Sequence, residues 1–277
     1  MSVASNQTAN VETKSDRVER DCPSCGSKDA RALPRYSHPD WKTVKCGACG
    51  FVYLSQAPHY EALAVDLGWT QQFVKEKERR ATERPVFNKV DQATRWRLRM
   101  RKRPNHWEYI TQKVASGRVL DVGCGAINNV PKIYEPYGID IEKVAIERAK
   151  PLMEARGGFA VCAPALEGLL SFEDDFLDGI IMRSYLEHET KPREVLEAAH
   201  AKLKQGGVIY VKVPNFGTLN RMVMGVKWCG FRFPDHLNYF TISSLRTLAE
   251  RTGYKFEQIR KLSSPVNDNM HCFLTKV

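Results

Sequence analysis

Val119-Leu120-Asp121-Val122-Gly123-Cys124-Gly125 is a short apolar run that ends in an acid and two glycines. Extended back to Gly117, it reads as a buried strand. In an open parallel sheet, ligands bind beyond the carboxyl ends of the strands, where this acid and these glycines fall. Glycine there lets the backbone pass a ligand without a Cβ in the way. Nineteen residues after Asp121, Asp140 lies in a second strand-like run, Tyr137–Ile141. An acid so placed can accept both ribose hydroxyls of an adenosine, with a solvated strand-end aspartate as the lesser alternative. A dinucleotide fold wants a further glycine at position 128, where this chain has Asn128, and that argues against NAD and FAD. Asn128 or Asn129 instead reads as the cap of a short helix with Pro131 in its first turn.

The pattern continues outward from this loop. Glu142–Arg156 has helical character, Gly158–Ala163 and Leu177–Met182 read as strands, and Lys191–Lys204 as a helix closed by Gly206–Gly207. Gly207–Val213 is a fifth strand, and Ser243–Thr252 is a helix closed by Gly253. Tyr254–Leu262 and Met270–Val277 follow without an intervening helix and predict an antiparallel pair at the sheet edge. Together these predict an α/β fold with a doubly wound, mostly parallel, seven-stranded sheet.

Upstream lies a different pattern: Cys22-Pro-Ser-Cys25-Gly, twenty residues, then Cys46-Gly-Ala-Cys49-Gly. Two such pairs at this separation match a tetrahedral four-thiolate zinc site. Gly26 and Gly50 follow each second cysteine, where a tight turn aims N–H groups at the sulfurs. A redox dithiol is the rival for a single pair, and two matched pairs argue against it. A closed four-ligand site has no open position, so its expected role is structural. The remaining cysteines (Cys124, Cys162, Cys229, Cys272) are scattered and read as ordinary small residues.

The chain has 277 residues, 43% of them hydrophobic and 27% charged, which suits one catalytic domain and a small appendage. No apolar run approaches the ~20 residues that span a bilayer. The first twenty residues lack the apolar centre of a secretory signal, and the expected location is cytoplasmic. The division expected is a tail over 1–20, a zinc ribbon over 21–56, a helical basic connector over 57–104 and the catalytic domain over 105–277. The formal charge is +10, and Lys75–Arg103 holds nearly all of the excess. That stretch is either a solvated helical linker or an arm for RNA or phosphate.

LDVGCG (Leu120–Gly125) followed by GIDI (Gly138–Ile141) resembles the first two motifs of class I S-adenosylmethionine-dependent methyltransferases. The resemblance extends through RSYLEH (Arg183–His188), LKQGGVIYVKVPN (Leu203–Asn215) and DHLNYFTISSLRTLAERTGY (Asp235–Tyr254). It covers about residues 105–277 and is nearer to small-molecule enzymes that carry an N-terminal zinc ribbon. It implies a Rossmann-like fold in which Asp121 holds the amino group of the cofactor. Gly123, Cys124 and Gly125 would pass along its methionine part, Asp140 would take the ribose and Ile141 would lie against adenine. Two departures stand out. Ile127 occupies the usual third glycine position and does not readily take positive φ. Cys162-Ala163-Pro164 lacks the acid that often binds the adenine amine, and Glu167 compensates only in part.

A sulfonium methyl is already activated, so the enzyme must align the acceptor and, for a hydroxyl, remove its proton. His188, after the fourth strand, and His236, in the aromatic-rich Pro214–Phe240 segment, are the candidate bases, with His188 preferred. Each is also readable as a hydrogen-bonded structural residue. Glu187 is a candidate to orient His188, and the Pro214–Phe240 segment reads as a lid. The leading expectation is methylation of a hydroxyl or carbon of a small molecule, such as a sugar or natural-product intermediate. RNA methylation and non-catalytic cofactor binding are the alternatives.

Overall fold

The computed structural model describes residues 17–58, 105–126, 129–259 and 267–277. The basic stretch 75–103, with most of the expected connector, lies outside the described residues, as do Ile127 and Asn128.

The N-terminal unit is a small β-structure. β1 (Arg17–Glu19) pairs antiparallel with β5 (Gln56–Pro58). Between them, β2 (Ala30–Ala32), β3 (Thr43–Cys46) and β4 (Val52–Leu54) form a meander. β1 therefore falls inside the stretch expected as a tail, where it pairs with β5.

The catalytic domain opens with α1 (His106–Lys113), which is capped by the Asn105 side chain on the Trp107 N–H. β6 (Gly117–Val122), β7 (Tyr134–Asp140), β8 (Ala160–Cys162) and β9 (Leu177–Arg183) follow. β10 (Leu203–Pro214), β12 (Tyr254–Gln258) and β13 (Asn269–Lys276) complete a seven-stranded sheet of order β12-β13-β10-β9-β6-β7-β8. The first five strands are parallel, and β13 runs antiparallel to both β10 and β12. This is the doubly wound, mostly parallel sheet that the alternation predicted, in the Rossmann-like methyltransferase form that the resemblance implied. Its strand order reverses at β6, so the crevice falls beyond Val122. α2 (Lys143–Glu154), α3 (Ala165–Leu169), α4 (Pro192–Lys202), α5 (Leu219–Met224) and α6 (Ile242–Arg251) connect the strands. Among the described residues no helix is long and apolar enough to cross a membrane.

Two local expectations fail for identifiable reasons. Gly206–Gly207 does not close α4, which ends at Lys202. Gly206, at φ 76°, instead lies in an irregularity at the start of β10. The helix expected to be capped by Asn128 or Asn129 is also missing. Residues 129–133 are not helical, and β7 begins at Tyr134, three residues earlier than its apolar run suggested. Arg156 holds the shortened β6–β7 connection, donating to the carbonyls of Val130 (2.8 Å), Pro131 (2.6 Å) and Tyr134 (2.7 Å).

The ribbon and the catalytic domain are packed together. β11 (Asn238–Tyr239) pairs antiparallel with β4 and extends the ribbon sheet from the catalytic side. Trp41, Val52, Leu54 and Ala57 share a core with Phe216, Trp228, Phe231, Leu237 and Tyr239. The aromatic segment expected as a lid is thus a packed layer; Trp228, Phe231 and Tyr239 are buried. Each such ring contributes on the order of 2–3 kcal/mol through burial. Arg20 spans the junction. Its guanidinium donates to the carbonyls of Leu54 (3.3 Å), Leu237 (3.2 Å) and Thr190 (3.1 Å) and to Asn238 Oδ1 (2.9 Å). Burial lowers its pKa to about 10 despite the opposing carboxylate of Glu189, and it stays a cation at neutral pH.

Candidate active site

The loop that the resemblance assigns to the cofactor lies at the C-terminal ends of β6 and β7. Gly123 (φ 75°) and Gly125 (φ 62°) both lie in the left-handed region, which explains why glycine stands at both positions. The N–H groups of Gly123 and Cys124 donate to the Ile139 carbonyl at 2.8 and 3.2 Å, turning the loop over β7. Asp140 organises the far side. Its Oδ2 accepts the Gly125 N–H at 2.8 Å and its Oδ1 accepts the Glu142 N–H at 2.9 Å. Each oxygen keeps a further lone pair for a hydroxyl. Ile141 is half-buried beside it, at the mouth of the crevice. Asp121 ends β6. Burial raises its carboxyl to about 7, with Asp140 adding to the rise and Arg183 opposing it. Such a carboxyl is held ready for a cationic partner. The Cys162-Ala163-Pro164 segment leads into α3, and Glu167 sits in the first turn of that helix.

At the end of β9, Ser184 takes φ 55°, an uncommon conformation for a non-glycine residue and one that recurs at functional sites. It bends the chain so that the Tyr185 ring lies 3.7 Å from where a Cβ on Gly123 would sit. Tyr185 Oη donates to Glu189. The turn continues to Glu187 and His188 and there meets Asp235 and His236, some fifty residues on.

The structure brings both candidate histidines together, their rings 4.7 Å apart and edge to face. His188 Nδ1 lies 2.8 Å from Asp235 Oδ1 and 2.9 Å from the Asp235 carbonyl. Asp235, not Glu187, is therefore the acid that orients His188. Glu187 Oε1 stands 4.0 Å from the opposite nitrogen, Nε2. Burial alone would lower the His188 pKa, but the Asp235 carboxylate outweighs it and raises the imidazole to about 9. The same contact, with help from Arg232 at 3.0 Å, holds Asp235 well below the usual carboxylate range against its burial. His236 is pressed the other way, to about 3, by burial and by neighbouring His188. Its Nδ1 is 2.8 Å from the Gly230 carbonyl, so a neutral ring donates there and leaves Nε2 as an acceptor. Glu187 is fully buried, which raises its pKa, and its Oε2 has no hydrogen-bond partner. The carboxylate of Glu187 and one nitrogen of each histidine lie within 4.8 Å of one another.

Sequence reasoning passed over Asp235, Arg232, Ser184, Tyr185 and Arg20. The Asp235-His236 pair was visible within DHLNYF, but nothing in the sequence tells which distant histidine the aspartate meets.

The four clustered cysteines converge as their spacing implied. Cys22 Sγ and Cys49 Sγ are 3.5 Å apart, and Cys25 Sγ and Cys46 Sγ 3.6 Å. A disulfide requires about 2.05 Å. Four sulfurs bound tetrahedrally at 2.3 Å stand about 3.8 Å apart, so the set fits that geometry. Gly26 and Gly50 share φ 74° and donate to the carbonyls of Cys22 and Cys46, closing two equivalent turns. Burial works against ionisation of Cys46, yet the N–H groups of Cys49 and Ala48 bring its thiol to about 7.

Comparison with known proteins agrees with this geometry. Residues 91–259, more than half of the chain, match the family model described as a methyltransferase domain. The chain belongs to that family and is an S-adenosylmethionine-dependent methyltransferase. It is 27% identical over 173 residues to a ubiquinone biosynthesis O-methyltransferase of Ralstonia nicotianae, covering 56% of this chain and 70% of that protein. It is 24% identical over 148 residues to an uncharacterised protein of Methanocaldococcus jannaschii, covering 53% and 69%. A solved S-adenosylmethionine-dependent methyltransferase from Archaeoglobus fulgidus superposes with a TM-score of 0.46 at 21% identity, covering 67% of this chain and 94% of that one.

Proposed function

We propose that this methyltransferase acts on a hydroxyl oxygen of a small molecule, and that Glu187, His188 and His236 form its acceptor centre. The observation that carries this reading is the cluster itself: two imidazole nitrogens and a buried carboxylate, beside a tyrosine that overhangs the cofactor loop. An acceptor hydroxyl held there gives up its proton, which passes to solvent water. The oxygen lone pair then attacks the sulfonium methyl in line, and the C–S bond breaks with its electron pair returning to sulfur. Methylation at carbon would use the same proton removal.

In the cradle, Asp121 meets the amino group of S-adenosylmethionine, Gly123, Cys124 and Gly125 flank its methionine part, and Asp140 takes the ribose. Ile141 packs on adenine. Cys22, Cys25, Cys46 and Cys49 hold a structural zinc ion, which the sulfur spacing and paired turns support. The ubiquinone O-methyltransferase relative supports an oxygen acceptor on a small molecule. The RNA reading draws on the ribbon and the 75–103 stretch, yet the apolar side of the ribbon is taken up by the catalytic domain.

The test is turnover with a pooled small-molecule extract. His188→Ala and His236→Ala should each lower it 10²–10⁴-fold while leaving cofactor affinity within about twofold. Near-normal turnover in both would remove the acceptor centre from the mechanism.

A further inference from the structure

We propose that Glu187, His188 and His236 bind a divalent metal ion, and that this ion holds the oxygen to be methylated. The inference rests on the acceptor-centre reading and says how that centre works.

Three features converge. The ligand set is two imidazoles and one carboxylate, a combination that binds Zn²⁺, Mn²⁺ or Fe²⁺ and leaves coordination positions open. Both rings are orientated as ligands. The Nδ1 of His188 engages the Asp235 carboxylate and that of His236 the Gly230 carbonyl, which leaves each Nε2 as the donor atom. Carboxylate and carbonyl partners of this kind fix the ring and tautomer of metal-bound histidines. The third feature is Glu187. A fully buried carboxyl oxygen with no hydrogen-bond partner costs stability unless something cationic answers it. Arg232 is paired with Asp235, and Glu187 Oε1 comes no closer than 4.0 Å to the His188 ring.

Space and access fit as well. A cation with bonds near 2.1 Å holds its donors about 3.0–3.5 Å apart. Glu187 Oε1 and His188 Nε2 now stand at 4.0 Å, so modest side-chain rotation closes the shell. The His188 side chain is 30% exposed while those of Glu187 and His236 are 2% and 5%, so solvent reaches the cluster on its His188 side. With three protein ligands, the ion has room for an acceptor carrying one oxygen or two adjacent ones. Bound to the ion, the acceptor hydroxyl loses its proton to solvent water more readily, and its oxygen then takes the methyl group. The metal keeps its oxidation state, and the sulfonium leaves as a thioether.

Manganese separates this site from the ribbon, because a hard cation favours nitrogen and oxygen donors over thiolates. Full-length protein, dialysed against EDTA and checked for retained ribbon zinc, is titrated with Mn²⁺ and followed by electron paramagnetic resonance. One saturable Mn²⁺ per chain is expected, and Glu187→Gln and His236→Gln should each weaken it at least tenfold. Circular dichroism and S-adenosylmethionine binding confirm that the variants are folded. As-purified protein should then carry metal beyond the ribbon equivalent, and the variants only that equivalent. No saturable Mn²⁺ or Zn²⁺ uptake beyond the ribbon, or equal uptake in folded variants, overturns the proposal. Undiminished methyl transfer by protein stripped of this ion would sink the proposal and leave the acceptor reading standing. Metal binding without transfer to any acceptor would do the reverse.

Discussion

The two donor clusters of this chain differ in how they are made. The four cysteines come from two turns of the same kind, each written out in consecutive residues, each held by two backbone hydrogen bonds and each closed by a glycine at φ 74°. Glu187, His188 and His236 come from two segments nearly fifty residues apart, joined by the His188–Asp235 pair and, where β11 reaches across to β4, by the Leu237 and Asn238 N–H groups that donate to the Glu187 carbonyl. The first cluster is closed, all sulfur, and suited to holding a fold. The second is open on one side and mixed in chemistry, and suited to holding a ligand. The ribbon also supports the second cluster, since β4 anchors the strand that directly follows His236.

That dependence gives the largest expected effect. Metal binding at a four-thiolate site is folding free energy, on the order of 10 kcal/mol. In a Cys22→Ser/Cys46→Ser variant the loss should not stay in the ribbon, because Trp228, Phe231 and Tyr239 lose the ribbon residues they pack against. Scanning calorimetry should show one early, broad transition for the whole chain. A ribbon transition followed by an unchanged catalytic one would show that the two regions are independent units, as the sequence division at residue 56 suggests.

Arg20→Ala sharpens the same point without touching a cysteine. It leaves the Thr190 carbonyl and the Asn238 amide oxygen without this donor, takes one of two donors from the Leu237 carbonyl, and should cost about 3 kcal/mol. Chemical denaturation measures it. A change below about 0.5 kcal/mol would mean the junction does not depend on this guanidinium. Asp140→Ala acts on the cradle alone. Cofactor affinity should fall by about 1–3 kcal/mol by calorimetry, since the ribose loses its acceptor and the Gly125 N–H its anchor. Unchanged affinity in a folded variant would show the acid is misassigned.

The smallest effect is one of curve shape. The Asp121 carboxyl is raised to about 7, so the folded apo-protein binds more protons than the unfolded chain between about pH 4 and pH 7. Its contribution to stability therefore declines as pH rises through that window and levels off above it. Cofactor affinity runs the other way, rising as Asp121 ionises to meet the cationic amino group. Asp121→Asn should flatten both dependences. A wild-type affinity that is level from pH 6 to pH 8 would contradict the assignment.

The sheet was legible because its signals are local. β6 begins and ends where the apolar run does, and the Gly123 and Gly125 turn is written in adjacent letters. The four cysteines were legible for the same reason. Asp235 as the partner of His188 was not, because an acid beside one histidine in sequence gives no sign that it faces another. The burial of the aromatic segment was hidden in the same way. Phe216, Trp228 and Phe231 are spaced for a lid or a core, and only the ribbon face with Trp41 and Leu54 decides between them. The non-helical course of residues 129–133 turns on Arg156, 26 and 25 residues downstream of the Val130 and Pro131 carbonyls it collects.

The most direct test of the account is a transfer assay with methyl-labelled S-adenosylmethionine, run in parallel on a small-molecule extract and an RNA pool. Wild-type full-length protein should place label in the low-molecular-weight fraction, and His236→Ala, with cofactor affinity intact, should lose nearly all of it. Label in RNA alone, or equal labelling by wild type and His236→Ala, would contradict it.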